Sequence, residues 1–186
     1  MDAEFEIVLA AVLARELAGY GGLLRCDKLT AGASQETYRV ACATQDGEVL
    51  LALRRSVPTL QAESSVGSIA LDTEAKLLQL AAANGIPEPE VVYILKPEDG
   101  LGAGFLMQWL EGETLGPRIT RGEEFAAVRP RLAYQCGEIL ARIHALDVSR
   151  DGLEQLLPGI APQALVEETW SYYCELDVPV PMIDYT

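Results

Sequence analysis

The sequence predicts an α+β fold in which a five-stranded antiparallel sheet lies beside helices and is followed by a mainly helical segment. Apolar residues alternate with polar ones in several short runs, and turn sequences separate these runs. Two further stretches carry apolar residues at helical spacing, and after about residue 117 the composition becomes helical. We therefore expect one unit over residues 1–110, a linker over 111–117 and a helical part over 118–186.

Composition limits the classes of partner. The chain has 186 residues, of which 49% are hydrophobic, and its mean hydropathy of +0.14 is sufficient for a buried core. Acidic residues outnumber basic ones by 28 to 14, which gives a net charge of -14 and a pI near 4.4. This charge disfavours nucleic acids and anionic membrane surfaces as partners, so any anion site must be local.

The cysteines and the first residues indicate a cytoplasmic protein. Cysteines 26, 42, 136 and 174 lack the CxxC spacing of a zinc site, and the chain has a single histidine. We expect reduced and mostly buried thiols. The N-terminus is acidic where a secretory signal is basic, and no apolar run approaches the roughly 20 residues of a membrane span. We therefore expect no targeting segment and no membrane partner.

The predicted elements follow one another closely along the chain. In order they are a helix over residues 5–17, strands over 23–29, 37–43 and 49–53, a helix from 65 or 68 to 84, strands over 91–95 and 104–110, and helices over 129–146 and 162–173. Turn sequences at residues 45–48 and 97–100 join neighbouring strands, and the spacing of Thr120 and Glu123 predicts a helix start by a capping box.

A stretch of small residues between the first two predicted strands is the first candidate for function. Gly32 has no Cβ, Ala33 has the smallest side chain that contains one, and Ser34 adds a hydroxyl. Backbone N–H groups of such a loop can approach a bulky anion, and phosphate is the obvious candidate. The alternative is an ordinary hairpin turn, because one glycine is a weaker signal than a full glycine-rich motif.

Five segments in order resemble the aminoglycoside phosphotransferase and choline kinase-like family, which has a protein kinase-like fold. They are TAGASQETY (30–38), LALRR (51–55), TEAKLL (73–78), FLMQWLEG (105–112) and LARIHALD (140–147). The phrase GASQETY together with LRR is particularly similar to the kinase-like domains that are sometimes fused to acyl-CoA dehydrogenases. The resemblance covers about residues 22–150. It implies a nucleotide-binding N-terminal lobe over 1–110, with a helix of the αC type, followed by the start of a helical C-terminal lobe.

The resemblance also implies roles for five residues beyond the loop. Arg54 takes the place of the lysine that holds the α- and β-phosphates, and Glu74 orients it. Met107, Gln108 and Trp109 present main-chain groups to the adenine. The alternatives are a solvated strand-end charge for Arg54, a surface helix carboxylate for Glu74 and an apolar core strand for residues 107–109.

The same resemblance implies an ATP- or GTP-dependent phosphotransferase that uses Mg²⁺ and acts on a small-molecule hydroxyl. The family's catalytic loop, of the His-Gly-Asp type, and its metal-binding Asp do not occur in these 186 residues. His144 lies on the helix before that loop and is more typical of a packing residue than of a base. We therefore assign neither catalytic residues nor metal ligands, interpret the sequence as a truncated chain, and expect this chain to be inactive alone.

Two further expectations follow. A non-catalytic module of the same fold that binds a nucleotide or a protein is the alternative to an enzyme. The apolar stripe of the helix over 129–146 belongs, by the resemblance, against elements outside these residues, so we expect self-association through an exposed helical surface.

Overall fold

The computed structural model describes residues 3–29, 35–56, 69–157 and 159–175. Gly32, Ala33 and Ser34 of the predicted phosphate loop lie outside the described residues. The elements of the first part are α1 (Ala3–Glu16), β1 (Tyr20–Lys28), β2 (Glu36–Thr44), β3 (Gly47–Ser56), α2 (Leu71–Ala83), β4 (Val91–Ile94) and β5 (Ala103–Gln108), with a 3-10 turn at Pro97–Asp99. Those of the second part are α3 (Gly116–Arg121), a 3-10 turn at Glu123–Phe125, α4 (Arg129–His144), α5 (Leu153–Leu156) and α6 (Pro162–Glu175).

The five strands form one antiparallel sheet, as the sequence predicts. Their order is β1-β2-β3-β5-β4, so β3 lies at the centre. The hairpin between β2 and β3 is tight, because Thr44 pairs directly with Gly47 and only two residues separate them. Gly47 has a φ of 123°, a conformation that favours glycine and explains the predicted turn at this position.

The two faces of the sheet are covered by different helices. We call the face that carries Leu53 the α1 face, because Leu53 packs in the core cluster with Leu9 and Leu13 of α1. We call the opposite face, which carries Phe105 of β5, the α2 face, because Phe105 packs against Leu71 and Ala75 of α2. Alternation along the central strand assigns every β3 side chain to one of these faces.

Glu36 forms ion pairs with residues of both neighbouring strands on the α1 face. Its carboxylate pairs with Lys28 at the end of β1 and with Arg55 near the end of β3, where the distance from Arg55 Nη2 to Glu36 Oε2 is 2.7 Å. Burial alone would raise the pKa of Glu36, but hydrogen bonds from Lys28, Tyr38 and Arg55 outweigh burial and lower this pKa to about 2. The Arg55 guanidinium also lies 4.2 Å from the centroid of the Phe5 ring. Glu36 at the start of β2 therefore links the last residues of β1 and β3.

A buried aspartate links α1 to the connection between β4 and β5. Asp99 accepts hydrogen bonds from Arg15 of α1 at 2.6 Å and from the Lys96 backbone N–H at 2.7 Å. Tyr93 also donates to this carboxylate, at 3.1 Å. Burial would raise the pKa of Asp99, but these hydrogen bonds hold it below its usual value. The contacts keep α1 on the sheet.

Several element boundaries differ from those that the sequence predicts. Strand β1 begins at Tyr20 rather than at residue 23. Its pairing with β2 shifts in register between Tyr20 and Gly22, and Gly22 has a φ of 149°. Helix α2 begins at Leu71, and Ala70 before it has extended backbone. The predicted helix start at Thr120 is wrong: α3 begins at Gly116, inside the predicted linker, and the Thr120 hydroxyl donates to the Gly116 carbonyl within it.

The helical part exposes a large apolar surface. Large exposed side chains on α4 and α6 are Tyr134, Leu140, Ile143, Leu165, Val166, Trp170 and Tyr172. Cys136 and Cys174 are also exposed, whereas Cys26 and Cys42 are buried, so the expectation of mostly buried thiols is met by half of the cysteines. Among the described helices, none is long and apolar enough to cross a bilayer. Self-association through the helical surface stays a prediction.

Gly104 provides a test of how closely β3 and β5 approach each other. A Cβ at this position would lie 2.3 Å from the Arg54 carbonyl oxygen and 2.9 Å from the Arg55 Cα, both of them backbone atoms that cannot move aside. We expect Gly104→Ala to lower the free energy of unfolding in urea by about 2 kcal/mol or more, because the strands must separate.

Gly21→Ala is the matched control, since a Cβ at Gly21 meets its nearest atom, the Ala43 carbonyl oxygen, at an ordinary 3.5 Å. Its effect should stay within about 0.5 kcal/mol. Equal effects of the two substitutions would contradict this account of the β3–β5 contact.

Candidate functional site

Gln108 pairs with Leu51 and therefore belongs to the α1 face. The other predicted site residues that the structure describes lie together on the α2 face of the central strand. Arg54 lies on β3 and pairs in register with Phe105 of β5, while Ala52, two residues earlier, pairs with Met107. Glu74 lies in the first turn of α2, above this face. Gln108 and Trp109 lie at and just after the end of β5. The three loop residues 32–34 were predicted with them and lie outside the described residues.

Arg54 and Glu74 form an ion pair between strand and helix. Arg54 Nη2 lies 3.4 Å from Glu74 Oε2, and the side chains are 37% and 26% exposed. Within the described part of the chain, the buried Arg54 Nε has no hydrogen-bond acceptor. A buried N–H without an acceptor is costly unless a ligand or water supplies one. The guanidinium is therefore held on this face by Glu74, and its Nε has no partner among the described residues.

The end of β5 is fixed by backbone hydrogen bonds. The Gln108 N–H donates to the Glu90 carbonyl at 2.8 Å, and the Trp109 N–H donates to the Leu50 carbonyl at 3.2 Å. Met107 packs against the cluster around Phe105. Both N–H groups are therefore engaged within the protein, so neither is left for the predicted main-chain contact with the adenine.

A residue that sequence reasoning did not select lies on the same face. Arg39 of β2 pairs in register with Ala52, and its guanidinium lies 5.3 Å from the centroid of the Trp109 ring. Arg39 Nη2 donates to Glu111 Oε1 at 3.1 Å, and Trp109 Nε1 donates to the same oxygen at 2.9 Å. Alternation with the core residue Val40 was the only sequence signal for this orientation, because cross-strand register is not visible in one sequence.

An apolar cavity lies beside the ion pair. It has a volume of about 460 Å³ between α2 and the segment from α4 to α5, and Glu74, Leu78, Ile143, His144 and Leu153 are among its lining residues. His144 is the last residue of α4 and is exposed. The side chain therefore lies at the edge of an apolar cavity rather than on the α2 face.

Metal ligands do not cluster in the part of the chain that the structure describes: no group of three or more His, Cys, Asp or Glu side chains there could hold an ion. The described residues thus give no fit for a magnesium ion.

The sheet, the helix α2 with its carboxylate and the following helices define an α+β protein with a kinase-like fold. A crystal structure of a "putative aminoglycoside phosphotransferase" from Ralstonia eutropha JMP134 matches with a TM-score of 0.66 at 19% sequence identity. The match covers 98% of this chain and 50% of that one, so this chain spans about half the length of its structural relative.

The particular family follows from the sequence. A family model described as the phosphotransferase enzyme family matches residues 26–178, which is most of the chain. The protein therefore belongs to the phosphotransferase enzyme family. Among curated proteins, none matches the chain significantly.

A double-mutant cycle tests the coupling between Arg54 and Glu74. We expect Glu74→Gln and Arg54→Gln to show a coupling of about 1 kcal/mol in urea unfolding, because removal of one partner leaves a half-buried charge uncompensated. This exceeds the few tenths typical of an exposed pair.

The matched control is the pair Asp72–Lys76 on the same helix, which has a distance of 2.9 Å and side chains that are 49% and 46% exposed. Its coupling should not exceed about 0.5 kcal/mol. If the two cycles give the same value, the pair between strand and helix has no special role in the fold.

Proposed function

We propose that this chain holds the nucleotide of a phosphotransferase that moves a phosphoryl group from ATP or GTP to a hydroxyl of a small molecule. The observation that carries the proposal is the ion pair of Arg54 with Glu74, which leaves the buried Arg54 Nε without an acceptor among the described residues. Membership of the phosphotransferase enzyme family supports the reaction class. The name of the structural relative suggests aminoglycosides as one class of acceptor to test.

Phosphoryl transfer asks a protein mainly for positioning and for neutralisation of charge. In this proposal Arg54 neutralises the α- and β-phosphates, and Glu74 keeps its guanidinium on the α2 face. Arginine presents a planar fork with several donors, so a second N–H remains for a phosphate oxygen while one contacts Glu74. The loop residues Gly32, Ala33 and Ser34 complete the phosphate contacts in this proposal.

The family generally uses Mg²⁺ with its nucleotide, and the ion would neutralise charge on the phosphates. The described residues provide no ligand cluster for it. No His-Gly-Asp sequence occurs in the 186 residues, and we propose on this ground that the ion's ligands, and the carboxylate that orients the acceptor hydroxyl, come from outside this chain. The single histidine, His144, is followed by Ala145 rather than by the Gly-Asp of a catalytic loop, which favours this division.

The sequence after His144, which lacks the Gly-Asp of a catalytic loop, is also consistent with a second function. This second function is a non-catalytic module that binds a nucleotide or a protein. The two proposals differ in the behaviour of a longer protein that contains this chain. An enzyme requires catalytic residues elsewhere in that protein or in a partner, whereas a module does not.

Nucleotide binding is the direct test of the proposed site. We expect the chain to bind ATP with a Kd of about 1 mM or weaker, near -4 kcal/mol, because it offers cationic side chains but no described metal ligands. Arg54→Gln should weaken binding at least several-fold by titration calorimetry, with and without magnesium.

Arg131→Gln is the control, because Arg131 is exposed on α4 and its loss changes the net charge equally. If both substitutions have the same effect, binding reflects net charge rather than the proposed site. Micromolar binding that requires magnesium would show a metal site that the proposal lacks.

Phosphate transfer is the second test. We expect no measurable turnover by the 186-residue chain with radiolabelled ATP, because loss of a group that orients the nucleophile commonly costs about 10² to 10⁴ in rate. The acceptor panel contains aminoglycosides, choline, hydroxylated amines, sugars and hydroxyacyl thioesters.

Turnover by a longer protein that contains this chain would support the enzyme over the module. Turnover by the chain alone that is abolished by His144→Ala or Asp147→Asn would overturn the view that the catalytic groups lie elsewhere.

A further inference from the structure

The guanidinium of Arg39 lies over the ring of Trp109 on the α2 face. The guanidinium carbon lies 5.3 Å from the ring centroid, and one oxygen of Glu111 accepts hydrogen bonds from both side chains, at 3.1 Å from Arg39 and 2.9 Å from Trp109. We call Arg39, Trp109 and Glu111 the arginine–tryptophan contact. It occupies the end of the face opposite to the pair of Arg54 with Glu74.

Register places this contact across the central strand. Arg39 on β2 and Met107 on β5 both pair with Ala52 of β3, and Trp109 follows β5 next to Leu50. Neighbouring strands lie about 4.8 Å apart, so β2 and β5 are about 10 Å apart on either side of β3. The Arg39 side chain and the Trp109 ring therefore meet across β3, beside Ala52. A base that approaches residues 107–109 from this face needs the same space.

The contact can be released at little cost. The Glu111 side chain is 72% exposed, and an ion pair with such a partner is weak. Arg39 Nε is buried and, within the described ranges, has no acceptor, so one donor of Arg39 is unsatisfied while its guanidinium lies over the ring. An indole ring stacks well on any nucleobase, because every base presents a π-face. Both a cation and a base thus suit the ring face that Arg39 contacts, and only one of them can cover this face.

We propose that the face of the Trp109 ring is the stacking surface for the purine base of the nucleotide and that Arg39, held by Glu111, occupies this surface when no nucleotide is bound. The inference rests on the proposed function and names how its site takes the base. Binding of the base displaces the guanidinium, and Arg39 then turns towards solvent. Arg39 therefore competes with the base for the face of the Trp109 ring. Only a ligand that stacks on this ring more strongly than the guanidinium displaces Arg39.

The test uses adenosine, because this ligand has a purine base and no phosphates, so that the charge of Arg39 does not attract it. The chain contains two tryptophans, and Trp170→Phe leaves Trp109 as the only one. In this background, adenosine should quench the fluorescence of Trp109. Arg39→Ala should raise the adenosine affinity at least threefold, since the competitor is gone. Glu111→Gln should raise it in the same direction by a smaller factor.

Arg131→Ala, which removes one exposed positive charge from α4, should leave the adenosine affinity unchanged. Circular dichroism checks that each variant is folded, and Glu111→Gln changes an exposed side chain, so it keeps the test valid if Arg39→Ala does not fold. Weaker or unchanged adenosine binding in both variants would overturn the proposal, because Arg39 would then be part of the wall rather than a competitor.

Titration with ATP separates this inference from the function on which it rests. If ATP binds by calorimetry but Trp109 fluorescence does not respond to adenosine or ATP, the nucleotide site stands and the stacking surface is wrong. If neither ligand binds to any variant, both the proposed function and this inference fail.

Discussion

Two consecutive arginines on the central strand must point to opposite faces of the sheet, and much of the molecule depends on which one takes which face. Arg55 lies on the α1 face, where Glu36, Tyr38 and Phe5 contact its guanidinium. This arrangement leaves Arg54 on the α2 face, within reach of Glu74. A slip of one residue in β3 would exchange the two side chains and place Leu53 outside the core. The contacts of Arg55 with Glu36 and the burial of Leu53 therefore favour the register that puts Arg54 on the α2 face.

The site also has to bind an anion on a strongly acidic protein. In the proposed site the Arg54 guanidinium lies on the α2 face, and its pair with Glu74 leaves further N–H donors for a phosphate. The net charge of -14 repels a nucleotide at long range, but charges farther away than about 8 Å are largely screened at physiological salt. Local donors can therefore outweigh the overall charge. This balance is the physical reason to expect weak binding by the chain alone.

The sheet was predictable because its signals are local. Alternation identified β2 and β3, and the turn with Gly47 identified their hairpin. The start of α2 was not predictable, because Ala70 before it is no capping residue. The order of segments that resembles the family predicted that Arg54 and Glu74 lie close together, and the structure shows an ion pair between them. Arg39 was missed, since its contact with Trp109 depends on two cross-strand pairings that bring the two residues together across β3.

Glu74 connects the candidate site to the helical part of the chain. The residue pairs with Arg54 on one side and lines the apolar cavity between α2 and the segment from α4 to α5 on the other. Arg142 of α4 also donates to the Gly85 carbonyl just after α2, at 3.2 Å. Helix α2 is thus held by the sheet through Phe105 and by the helices through its other side. A carboxylate on a helix moves with that helix. A contact in the apolar cavity that shifts α2 would therefore also shift Glu74 and the Arg54 guanidinium paired with it.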